Sequence, residues 1–122
     1  MATLIKETRM TRFNESFVVT PTASVTASTD YAFQIKDKHW KYVIIGTCAE
    51  AGNITFKAGD SPLACANVVV PVAKGSFAIS LEDALVKINA PYDVDSNNKG
   101  LLDVVLFSSS VALTNVMIVK LP

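Results

Sequence analysis

The 122-residue chain has one histidine, one tryptophan and two cysteines, and only 18% of its residues are charged. Each shortage excludes something. A lone His39 gives neither a catalytic triad nor a zinc site its usual partners. Cys48 and Cys65 are too few for a disulfide framework, and two reduced, packed thiols are the expectation. Eleven basic residues balance eleven acidic ones, so the formal charge is zero. A neutral chain lacks the basic excess that neutralises phosphates, which argues against nucleic acid as a partner. No apolar run approaches the roughly twenty residues of a membrane-spanning helix, so no membrane partner is expected. The opening Met1-Ala2-Thr3-Leu4-Ile5-Lys6-Glu7 has no apolar core of a secretory signal. No glycine-rich phosphate loop, internal repeat or low-complexity tract is present.

Half of the residues are apolar and the mean hydropathy is +0.35, enough for one folded domain without staples. Their spacing is that of strands. Apolar and polar residues alternate in Tyr31 to Lys36, Ile54 to Lys57 and Ser76 to Leu81. Trp40 to Thr47 and Leu101 to Phe107 are apolar on both faces, which predicts central strands or strands covered by a neighbour; the last strand, Val116 to Leu121, is also apolar nearly throughout. Pro71 places Val68 to Val72 at a sheet edge. Ala51-Gly52-Asn53 and Ala73-Lys74-Gly75 read as hairpin turns, with longer loops at 58–62 and 95–100. The one helical candidate is Leu81 to Ile88, capped by Ser80. The expected fold is all-β: a single antiparallel β-sandwich, jelly-roll-like, over residues 17–122. Residues 1–16 read as a short irregular N-terminal arm, since Leu4, Ile5, Met10 and Phe13 follow no period that would bury them locally. The core is expected to contain Ile54, Phe56, Phe77, Ile79, Val104 and Leu106.

Candidate chemistry is sparse. Ser108-Ser109-Ser110 lacks the G-x-S-x-G elbow of a nucleophile and reads as a solvated turn. Asp93-Val94-Asp95-Ser96-Asn97 opens like a calcium loop, but Asn98 stands where glycine is needed and Val104 where a bidentate glutamate is needed. A polar Asx turn accounts for the stretch. No catalytic residue, cofactor or metal is expected, and the chain reads as a non-enzyme. Two-faced apolar strands with little charge point to an interface.

The run Lys41-Tyr42-Val43-Ile44-Ile45-Gly46-Thr47, the turn at Gly52-Asn53 and Ile54-Thr55-Phe56-Lys57-Ala58-Gly59-Asp60 follow one another in order. Ala66 to Val72, Lys74-Gly75, Leu81-Glu82-Asp83, Asn98-Lys99-Gly100 and Lys120-Leu121-Pro122 then continue the series. Over about residues 30 to 122 this ordered set resembles the phage head decoration, or auxiliary capsid, proteins. The chain departs from that pattern in Asp60, where asparagine is usual, in its two cysteines, and in a longer loop from Asn89 to Asn98. The resemblance implies a structural virion protein on the outer capsid surface, made in the host cytoplasm, without catalytic residues. It implies as partners the major capsid protein and copies of the chain itself, a homo-oligomer for which a trimer is one arrangement. Leu4, Ile5, Met10 and Phe13 are then the expected capsid or subunit contacts. Two rival readings are a carbohydrate-binding sandwich, using Trp40, Tyr42 and Tyr92 as a platform, and a tail or adhesin subunit.

Overall fold

The computed structural model describes residues 2–6, 8–9, 14, 16, 23–35, 42–62, 64–81 and 85–121. Among them the chain forms eleven strands and no α-helix. In order these are β1 (Thr3–Leu4), β2 (Thr8–Arg9), β3 (Ala23–Val25), β4 (Tyr31–Gln34), β5 (Tyr42–Cys48) and β6 (Gly52–Phe56). They continue with β7 (Val68–Val72), β8 (Gly75–Ser80), β9 (Lys87–Ile88), β10 (Val104–Ser109) and β11 (Leu113–Lys120). One sheet has the order β1-β4-β10-β6-β7, with β9 also on β10; the other runs β2-β11-β5-β8, with β3 also on β11.

The antiparallel pairs are nested. β6 pairs with β7, β5 with β8, β4 with β10 and β3 with β11. Successive pairs fall alternately in the first and the second sheet. A long double-stranded ribbon wrapped in this way is a jelly roll, so the expected architecture is the one observed. Consecutive strands mostly change sheet. For that reason the two stretches read from sequence as hairpin turns are not hairpins: 49–51 and 73–74 cross between the sheets, and Gly52, Asn53 and Gly75 already belong to β6 and β8. The hairpin β6–β7 is closed by the longer segment 57–67.

Strand assignments follow from side-chain alternation. In β5 the residues Tyr42, Ile44, Gly46 and Cys48 are buried, while Val43, Ile45 and Thr47 are half-buried. β5 lies between β11 and β8, and β10 between β4 and β6, as central strands should. β7 is an edge, where Pro71 costs no ladder bond. In β11 the four residues from Thr114 to Met117 stand opposite the three from Thr47 to Ile45. Asn115 takes up the extra residue at φ 53°. Such a bulge resets the alternation, so Leu113, Val116 and Ile118 all enter the core.

The main core joins both sheets. Phe107 lies 6.0 Å from Tyr31 and 5.9 Å from both Phe33 and Phe56, and Phe33 meets Tyr42 edge-on at 5.5 Å. Ile54, Phe56 and Ile79 are in this core as expected, with Phe77 half-buried beside it. Val104 and Leu106 are buried elsewhere, in a second cluster with Ala2, Ala32 and Val94 on the outer face of the first sheet.

Two expectations are corrected. Lys87–Ile88 is a strand on β10, not the end of a helix, and Val86 is fully buried in the main core; residues 82–84 lie outside the described part. The N-terminal segment is no free arm over its described residues. β1 runs parallel to β4 in one sheet, β2 parallel to β11 in the other, and Ile5 is buried in the main core. Residues 3–5 and 8–9 therefore belong to the sandwich. A two-residue strand has no legible period, which is why the sequence pattern missed them.

Phe56 is completely buried, its ring 5.9 Å from that of Phe107. Phe56→Ala should lower unfolding stability by about 3–5 kcal/mol, measured by denaturant titration.

Candidate contact surface

The outer face of the first sheet is divided in two. On one half Ala32, Val104 and Leu106 are covered by the chain's own Ala2 and Val94, with Leu4, Ile88, Tyr92 and Leu101 packed around them. The two-faced apolar pattern of β10 is therefore satisfied within the chain, not by a neighbour.

The cover is a loop tied at several points. Tyr92 and Leu101 exchange two backbone bonds of 2.9 Å, and the Ala2 N–H donates to the Val94 carbonyl at 3.1 Å. Asp95 accepts the Asn97 N–H at 2.8 Å and both oxygens accept from the Asn98 amide at 3.0 and 3.1 Å. Asp93 accepts the Gly100 N–H at 2.8 Å. Both carboxylates of the calcium-like stretch thus serve as acceptors in turns. Among the described residues no group of three or more His, Cys, Asp or Glu could hold a metal ion.

Residues 57–60 hold the other end of this loop. Gly59 donates to the Leu85 carbonyl at 3.0 Å, and a Cβ there would stand 2.3 Å from the Lys87 carbonyl oxygen. Only glycine allows the two backbones so close. The next residue, Asp60, accepts the N–H groups of Asn89 at 2.9 Å and Ala90 at 2.8 Å, and the Asn89 side-chain amide at 3.0 Å. The Asn89 backbone N–H first, then that of Ala90, then the Asn89 amide hold its carboxyl below the ordinary 3.8. The sequence marked Asp60 only as a departure from the family pattern and gave it no role, since its partners lie about thirty residues away.

The open half of the face is polar. Ser28, Asp30, Asn53, Thr55, Val69 and Ser108 line a shallow groove of about 470 Å³. Lys57 and Asp30 pair across its end at 3.0 Å, and both are nearly half exposed. Such a surface pair contributes about 0–1 kcal/mol. Val69 is 56% exposed and Leu102 50%, the large apolar side chains most open to solvent among the described residues.

The expected contact residues divide. Ile5 is in the chain's own core and Leu4 is half-buried against the second cluster, so neither is free for a partner in this arrangement. Met10 and Phe13 lie outside the described residues, as do His39 and Trp40. Cys48 is buried, its Sγ–H donating to the Ala73 carbonyl at 2.9 Å; Cys65 is exposed rather than packed, and neither is in a disulfide. Ser108 and Ser109 close β10 instead of forming a solvated turn. Ser109 is buried and its hydroxyl donates to the Val111 carbonyl at 2.6 Å. Comparison with protein-family models, with curated proteins and with solved structures finds no match.

Two measurements check the clamp. Gly59→Ala should destabilise the protein by about 1–3 kcal/mol, since backbone must move, and should speed hydrogen exchange at Leu85 to Ile88. Asp60 has a lowered folded value, so its contribution is present above the unfolded value and lost as pH falls through the folded one. The Asn89 and Ala90 amide resonances should therefore titrate together below pH 3.8, and not in Asp60→Asn.

Proposed function

We propose that this protein is a structural component of a phage virion that decorates and reinforces the outside of the assembled capsid. The observation that carries this reading is the ordered resemblance over about residues 30 to 122. Its segments coincide with the joints of the fold. Residues 42–47 of the first run lie in the central strand β5, and 54–60 is the end of β6 followed by the Gly59-Asp60 clamp. Asn98-Lys99-Gly100 lies in the covering loop, and Lys120-Leu121 ends β11. A jelly roll by itself hosts many functions, so the fold supports the reading only as a rigid module.

Such a protein needs no active site. It needs a face that meets the shell, copies that crowd without net charge, and a core that stays folded when loaded. The open half of the outer face, with its hydroxyl and amide groups around Val69, is the part suited to contact. Of the three residues of the carbohydrate platform, Tyr42 is in the main core and Tyr92 is half-buried in the second cluster, while Trp40 lies outside the described residues.

The test is cosedimentation of the purified chain with undecorated capsids. The expected result is saturable binding at micromolar protein and a raised disruption temperature of the shell. Protein that stays in the supernatant throughout overturns the reading.

A further inference from the structure

The direction of each backbone group at the β7 edge follows from the bonds of β6. The Asn53 N–H donates to the Ser110 hydroxyl and its carbonyl accepts the Ser110 N–H, both at 2.9 Å. The Lys57 N–H donates to the Leu106 carbonyl at 2.9 Å. Asn53, Thr55 and Lys57 thus turn their backbone groups toward β10, and Gly52, Ile54 and Phe56 turn theirs toward β7. In an antiparallel ladder bonded and non-bonded pairs alternate. Val68, Val70 and Val72 are therefore the bonded partners of β6, through the register Phe56 to Val68, Ile54 to Val70 and Gly52 to Val72. Val69 and Pro71 point the other way, to the edge that no other described strand covers. Val69 offers an N–H and a carbonyl there, and Pro71 a carbonyl alone.

This edge is short and carries Pro71, but it has no charge. Native edges are blunted by charge, by lysine above all. Here the thirteen residues from Ser61 to Ala73 contain no charged side chain, and four of the five in β7 are valine. Val69 is also the most exposed large apolar side chain among the described residues.

We propose that β7 is a contact between two copies of this chain, paired antiparallel about a two-fold axis through Val69 and the partner's Val69. The edge is self-complementary in that register. A residue on the axis forms a bonded pair with its own copy, each N–H donating to the other's carbonyl. Two residues away, Pro71 stands opposite the partner's Asn67. Its carbonyl is an acceptor there, and its missing N–H ends the ladder after a short run. Across the seam the outward row reads Ser108, Thr55, Val69 and then the same three from the partner, so no like charges meet. A heterologous strand would satisfy the same groups, but nothing in an uncharged edge selects one. The inference names the surface between copies for the function proposed above. It is measured without capsids, so failure of shell binding leaves it standing.

Sedimentation of the full chain across concentration should show a species of twice the 13.1 kDa chain mass. In that species the Val69 amide should exchange at least about tenfold more slowly than in the diluted monomer. The Val68 and Val70 amides should change little, being bonded to β6 already. Val69→Lys, at a side chain facing solvent, should keep the melting curve and abolish the dimer; an equimolar mixture with Val69→Asp should restore it. A monomer at every concentration, a trimer, a Val69→Lys dimer, or a dimer with unchanged Val69 exchange each overturns the proposal.

Discussion

β10 has to bury both of its faces, and most of the structure answers to that requirement. Its inward residues Val105 and Phe107 enter the main core, where Phe107 touches three other aromatic rings. Its outward residues Val104 and Leu106 are as apolar, and an uncovered outer face would leave them in water at roughly 1.5–3 kcal/mol per side chain. The chain solves this locally by laying its own N-terminus and the 88–101 segment over them. The remote joints then follow. The cover stays in place because Gly59 admits the Lys87 backbone and because Asp60 gathers the N–H groups of Asn89 and Ala90.

The same arrangement decides where contact is available. Once the apolar half of the outer face is internal, the remaining surface is a polar groove and an uncharged strand edge. The apolar area outside β10 is hidden by the chain itself. Recognition at such a surface rests on hydroxyls, amides and backbone groups, which reward geometry more than area. A rigid jelly roll suits that, since its ladders fix the direction of each edge group to within a bond.

Local pattern carried the reading well where it depends on period two. The alternation in Tyr31 to Lys36, Ile54 to Lys57 and Ser76 to Leu81 matches β4, β6 and β8, and the edge assignment of Val68 to Val72 followed from the chemistry of Pro71 alone. The Asx-turn reading of Asp93 to Asn98 likewise needs only side chains within a few residues of their partners. Asp60 and Gly59 were illegible for the opposite reason. Each acts on backbone groups more than twenty residues away, and no spacing announces that.

What the amino-acid sequence determined unaided is the all-β class and the central and edge strands, because these depend on residue type and on the two-residue repeat of a strand. The tertiary structure decided which turns cross between sheets, that Leu4 and Ile5 pack inside instead of reaching outward, and what covers Val104 and Leu106. An apolar residue has the same pattern whether its own chain or another buries it. Only the path of the backbone, which brings Ala2 and Val94 onto β10, distinguishes the two.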